Sequence, residues 1–425
     1  MAGRIQFASR ALLVLVAAFT VGCSSFNEVT TTLPAAHQNM LVDSLFPVPE
    51  PGFALEQAPD FLQLPEQYQE ELNDSILSLE DEYERYRMLR RWVYRKFDDY
   101  EFDVTETYSL TELNNNRKIN CLSFSALFVA AARYVNVPAD FQLVFAPPYW
   151  DKQNSSWINN QHINVTGFLN NSDTLDLRSG VGTPVQSYYN VNPGNFVTFL
   201  SSNDSDKRSF RYVADINPAI VSVRIKRQII DEQHVLSLFY SNKSIEKLLQ
   251  EDLGVAYQYS KAAISAHPDS ALAWNNLGVL YNRVDQPDYA IEAFERAIQL
   301  DAGALSAKSN LARLYNDKGM QDQAAVLELE VAAFRNQNPY YHSALAEESF
   351  ADGDLGSAKS QLESAIERKH NEFYFYHQLA KVNQQLGNMD SVFDNLRLAR
   401  RHARGEDRAR FSGKLKQLEE LLTAN

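Results

Sequence analysis

The stretch ALAWNNLGVLYNRVDQPDYAIEAFERAIQLDA, residues 271–302, carries Trp274, Leu277, Gly278 and Tyr281 in its first half and Ala290, Phe294 and Ala297 in its second. Both sets recur at the three- and four-residue spacing of one helix face. Small residues such as Gly278 and Ala290 let two antiparallel helices approach closely, while Leu277, Tyr281 and Phe294 fill the seam to a following pair. The pattern repeats every 34 residues: Leu277 is followed by Leu311, Leu345 and Leu379, and Ala290 is flanked by Ala256, Ala324, Ala358 and Val392. A period of this length marks stacked helix pairs, each of which needs its neighbour to bury its apolar face.

This placement of Trp, Leu, Gly, Tyr, Ala, Phe and Ala resembles the tetratricopeptide repeat, which implies an all-α solenoid with a concave groove that takes a peptide or partner protein. About five units are expected over residues 226–403. The first is degenerate in its leading helix, SLFYSNKSIEKLLQEDLG, but ends regularly in AYQYSKAAISAHP, where Pro268 closes the unit. Residues 404–425 place Phe411, Leu415, Leu418 and Leu422 on one side, suiting a capping helix, and the basic run RRHARGEDRAR before it reads as a solvated face.

A chain of 425 residues, 45% hydrophobic and 12% aromatic, is long enough for two or three packed domains. Forty Lys and Arg against 54 Asp and Glu give a net charge of −14, which argues against general affinity for nucleic acid. Arg4 and Arg10 precede an apolar run from Ala11 to Val21, the layout of a secretory signal too short to span a bilayer. Its end, Thr20-Val21-Gly22-Cys23, resembles a bacterial lipobox, departing from the usual pattern at Thr20. The resemblance implies removal of residues 1–22 and lipid on Cys23, and Ser24 in place of Asp implies delivery to the outer membrane of a Gram-negative cell, facing the periplasm. Acyl chains at about 0.8 kcal/mol per buried methylene make such attachment effectively permanent.

Residues 23–58, rich in Ser, Thr and Pro, read as a tether and extended lead-in. From Phe61 to Phe97 apolar residues at helical spacing predict two amphipathic helices. With Cys23 lipidated, Cys121 has no partner for a disulfide, and its address is informative. Asn120 is a favoured N-cap, and Phe124, Leu127, Phe128, Ala131 and Val135 form the buried stripe of a helix that begins at Cys121. In a first helical turn the free amides and the positive end of the dipole stabilise a thiolate. His162 is the one histidine in the next 110 residues, and it heads the strand-like HINVTGFL.

The stretch YEFDVTETYSLTELNNNRKINCLSFSALFVAAARYVNVPADFQLV, with HINVTGFL and FRYVADINPA beyond it, resembles the transglutaminase-like superfamily over roughly residues 80–220. That resemblance implies an α+β domain over residues 59–225, helices packed on an antiparallel sheet, followed by the tetratricopeptide solenoid. It also implies a papain-type triad of Cys121, His162 and Asp215. The family joins its histidine and aspartate by a short hairpin, whereas Asp215 lies far along the chain, so Asp176 is a rival and HINVTGFLNNSDTLDL a possible hairpin. Asp215 is preferred because RIKRQIIDEQHVLSLFYSNKSIEKLL after it resembles bacterial lipoproteins that join this domain to tetratricopeptide repeats; residues 177–210 then become an inserted excursion. Besides the Cys121 amide, Tyr108, Asn115 and Gln161 are open as oxyanion donors.

Two functions follow as expectations. In the first, the thiolate attacks a peptide or side-chain amide of an envelope protein recruited by the groove, and water or an amine resolves the thioester. In the second, the domain is catalytically idle and the chain is an assembly scaffold. No Gly-rich phosphate loop and no Cys or His cluster at metal spacing appears, so neither cofactor nor metal is expected.

Overall fold

The computed structural model describes residues 38–423 apart from 98–99, 104, 146–149, 154–155, 160–161, 171–186, 190–196, 204–205, 217–226 and 404; all of them lie in one unit, Leu33–Asn425. Cys23, Asp176 and Gln161 fall outside the described residues. Three helices stand where two were expected: α1 (Ala58–Leu62), α2 (Glu66–Leu72), which runs on into a π turn, and α3 (Glu82–Phe97). Pro65 makes the first division, since it offers no N–H and turns its predecessor away from helical geometry. Strands β1 (Glu101–Phe102) and β2 (Lys118–Ile119) pair in parallel and bracket α4 (Leu110–Asn116), and α5 (Cys121–Tyr134) follows at once.

Eight further strands come next: β3 (Asp140–Val144), β4 (Trp150–Gln153), β5 (Ser156–Asn159), β6 (His162–Asn170), β7 (Ser187–Tyr189), β8 (Val197–Asn203), β9 (Asp206–Asp215) and β10 (Arg227–Ile230). Six of them form a sheet in the order β10-β3-β6-β9-β8-β7, and every neighbouring pair is antiparallel. Helix α5 packs on it, its Phe124, Leu127 and Phe128 sharing one core with Phe141, Ile163, Val165 and Tyr212. Two boundaries differ from the sequence reading. Residues 187–189 and 197–210 do not form an excursion but extend the sheet through β7, β8 and the start of β9, apart from the undescribed 204–205. Residues 227–230, assigned above to the repeats, are the edge strand β10, because Ile230 is buried and the helix after it starts only at the Asp231 cap.

Five helix pairs follow, α6 (Glu232–Leu249) with α7 (Leu253–Ala266), α8 (Ala271–Arg283) with α9 (Pro287–Leu300), α10 (Leu305–Asp317) with α11 (Gln321–Gln337), α12 (Pro339–Ala351) with α13 (Leu355–Arg368), and α14 (Phe373–Gln385) with α15 (Met389–His402). The last helix, α16 (Gly405–Thr423), buries Phe411 and Leu415 in one cluster with Tyr376, Val392 and Leu396. The expected solenoid is thus present, and it shares its core with the sheet-bearing part: one cluster runs from Phe46 to Ala324. Phe61 on α1 stacks on Phe239 of α6 with ring centroids 4.3 Å apart.

Residues 40–57, read above as tether, are a strap laid on the first repeats. Tyr281 donates to the Met40 carbonyl and accepts from the Val42 amide, Tyr257 donates to Asp43, and Tyr240 and Tyr259 donate to Glu56. Gly254 is needed beneath it, since a Cβ there would lie 2.4 Å from the Pro47 carbonyl oxygen. No helix among the described residues is long and apolar enough to cross a membrane.

Candidate functional site

Cys121 owes its position to Asn120. The Asn120 Oδ1 accepts from the amides of Leu122 and Ser123 at 3.0 and 2.9 Å, so it closes the helix end and starts α5 at the cysteine. Its Nδ2 donates to the Glu106 carbonyl and, at 2.7 Å, to Thr107 Oγ1, which ties the cap to the segment before α4. Ser123 adds a bond from its hydroxyl to the Tyr108 carbonyl. The helix is therefore held at the turn that carries the sulfur, and Cys121 is a free, half-buried thiol.

His162 is the first residue of β6 and Asp215 the last of β9, its antiparallel neighbour. The separation of 53 residues that argued for Asp176 is bridged by the intervening strands, which return the chain to the sheet beside β6. His162 Nε2 meets both Asp215 carboxylate oxygens at 2.9 Å, with the aspartate fully buried and the imidazole 11% exposed. Cys121 is among the groups that act on the ring. Asp215 takes Nε2, which leaves Nδ1 as the other nitrogen of the ring. Burial opposes charge on the ring, but the bonds to Asp215 and Cys121 and their charges outweigh it and bring His162 up to about 10.

Of the oxyanion candidates, Tyr108 spends its hydroxyl on Glu106, and burial together with that carboxylate pushes it well above the usual phenol range. Asn115 is exposed and lines an open cleft of about 520 Å³ with Pro59, Leu64 and Tyr68; Cys121, His162 and Asp215 do not border that cleft. The Cys121 amide stands at the start of its helix, and the candidate Gln161 lies outside the described residues.

Two groups escaped the sequence reading. Asn164, two residues along β6 from His162, donates from Nδ2 to Asp215 Oδ2 at 2.9 Å; the alternation of a strand was the signal that could have found it. Thr107 joins the site to the repeats, because its Oγ1 also accepts from Asn242 at 3.0 Å and its amide donates to Glu246 at 2.6 Å, both on α6. Among the described residues no group of three or more His, Cys, Asp or Glu is arranged to hold a metal ion.

Comparison with known proteins speaks to the repeats. The tetratricopeptide repeat family model matches residues 271–303. A peroxisomal targeting signal receptor of Yarrowia lipolytica is 36% identical over 88 residues, 19% of this chain and 15% of that one. Its counterpart in Candida albicans is 32% identical over 74 residues, 17% of this chain and 11% of that one. The matches therefore span a small fraction of those receptors' lengths. Among solved structures, pilF of Pseudomonas aeruginosa is similar at 16% identity over 46% of this chain and 100% of that one, with a TM-score of 0.25. PilW, described as a type IV pilus biogenesis factor, is similar at 21% identity over 38% of this chain and 74% of that one, with a TM-score of 0.23. The C-terminal region carries tetratricopeptide repeats, a protein-binding type of scaffold.

Proposed function

We propose that this chain is a tetratricopeptide scaffold carrying a transglutaminase-like cysteine site, held by lipid on Cys23 at the periplasmic face of an outer membrane. The single observation that supports the enzymatic half is the bonding of His162 Nε2 to both Asp215 oxygens, with Cys121 among the groups that act on the same ring. A protonated ring beside sulfur favours the thiolate. That thiolate adds to an amide carbonyl, the tetrahedral oxyanion takes the Cys121 amide, and His162 gives its proton to the departing amine to leave a thioester. Attack by water then releases an acid, which makes the reaction hydrolysis; attack by an amine makes a new amide. Asp215 holds the ring and offsets its charge throughout.

The comparisons favour the second reading, a catalytically idle scaffold, because they concern the repeats alone. The relatives named as targeting signal receptors support a peptide or protein as the partner in the groove. The two readings part on thiol chemistry. Iodoacetamide is applied across pH 5–9, and the tryptic peptide holding Cys121 is followed by mass spectrometry so that Cys23 does not contribute. Modification that stays fast at pH 6 and is lost in His162→Gln supports the enzyme; a rate that rises only near pH 8.5, as for an ordinary thiol, leaves the scaffold. Cys121→Ala, used as bait in a cross-linked pull-down, then identifies what the groove delivers.

A further inference from the structure

We propose that Asn164 is a positioning residue of the thiol site, fixing the Asp215 carboxylate in the orientation that meets His162 Nε2; the inference rests on the reading of Cys121, His162 and Asp215 as a catalytic set. Asn164 lies on β6 two residues beyond His162 and is fully buried. Its Nδ2 donates to Asp215 Oδ2 at 2.9 Å, the same oxygen that His162 Nε2 meets at 2.9 Å. Its Oδ1, in contrast, is buried with no partner among the described residues. An amide sealed in a sheet with one end unpaired costs stability that an aliphatic side chain would not. The donor it offers to Asp215 is the interaction that sets its value, because it holds a fully buried carboxylate turned one way.

Its neighbours do not share this role. Gln142 is the register partner of Asn164 on β3, and its Oε1 also has no partner among the described residues. Thr166, next on the same face, donates to the Tyr212 carbonyl and accepts from Arg211. Loss of the Asn164 donor weakens the hold of Asp215 on the imidazolium, and the thiolate beside that ring then forms less readily as the solution is acidified.

The test is the alkylation profile of Cys121 in the full-length protein. In Asn164→Leu the acid limb moves up by about one pH unit, so the rate at any pH on that limb falls about tenfold against wild type. Asn164→Ser, whose hydroxyl is too short to reach Asp215 and which adds no bulk, shows the same shift and serves where the leucine variant does not fold. Thr166→Val keeps the wild-type profile. A folded Asn164→Ser protein with the wild-type profile overturns the proposal, as does an equal shift in Thr166→Val. A wild-type protein whose Cys121 reacts as an ordinary thiol defeats instead the reading of the site on which the proposal stands.

Discussion

Phe46 lies face to face with Tyr257, ring centroids 4.1 Å apart and planes 9° from parallel, and tilts against Tyr281 with centroids 5.5 Å apart. The ring is 7% exposed and anchors a strap that has no regular structure of its own beyond one 3₁₀ turn at Asp43–Leu45. Removing it leaves a void between two tyrosines whose hydroxyls still bond the strap backbone and Asp43. Phe46→Ala is therefore expected to lower stability by about 3 kcal/mol, read as a lower urea midpoint with unchanged slope.

Glu246 joins the first repeat to the Thr107 amide from a mostly buried position. Burial raises its carboxyl, Lys243 and the Thr107 bonds oppose, and Glu106 adds repulsion, so it is pushed up to about 7 from the ordinary 4.5. The folded state thus binds its proton more tightly than the unfolded chain. This group's contribution to stability is full below pH 4.5 and is lost as pH rises through about 7. Glu246→Gln keeps a carbonyl for Thr107 and cannot ionise. Relative to wild type it is expected to gain roughly 1–2 kcal/mol between pH 5 and pH 8, a figure reduced for the partial exposure of the group. Melting temperatures at the two pH values check it; an equal difference at both removes the argument.

The repeats were legible because their information is local. Leu277, Ala290 and their equivalents recur at a fixed spacing, and each pair packs on the next in the chain. The helix at Cys121 was legible for a similar reason, since Asn120 caps within three residues of itself. Long-range contacts were not. Residues 40–57 look like tether because the groups that order them, Tyr240, Tyr257, Tyr259 and Tyr281, come some 200 residues later. The role of β10 was hidden likewise, because an edge strand is defined by β3 and not by its own four residues. Asn164 stood in plain view beside His162, but its meaning depends on Asp215, 51 residues away.

Gly278 is the point of closest approach in the second pair. A Cβ built there would lie 2.6 Å from the Phe294 ring, too near for the ring to keep its place. Gly278→Ala raises helix propensity yet crowds a fully buried seam, and the crowding wins: a net loss of about 1–2 kcal/mol is expected. Phe294→Leu in the same chain should recover part of it. Adding the two single losses and comparing the sum with the double variant's loss by urea titration measures the coupling directly.

Glu328 occupies in the third pair the place that Phe294 holds in the second and Leu362 in the fourth, 34 residues before and after. It is exposed and accepts from Asn316 at 2.8 Å in place of filling the seam. The large core accordingly stops at Ala324 and Leu327, and the fourth pair starts a separate small cluster at Ala346. Polar contacts cross the seam: the Asn336 carbonyl meets His342 Nε2 at 3.0 Å and accepts from Arg368 Nε at 2.6 Å. In a linear array each unit is stabilised by its interfaces, so a weak interface lets the units beyond it open on their own. Hydrogen exchange is expected to show faster opening for residues 339–402 than for 271–317. Glu328→Leu, which restores an apolar side chain at the seam, is expected to slow exchange in α12 and α13 several-fold while leaving α8 unchanged. Equal protection across the two halves of the wild-type array would show that this seam couples them as tightly as the others.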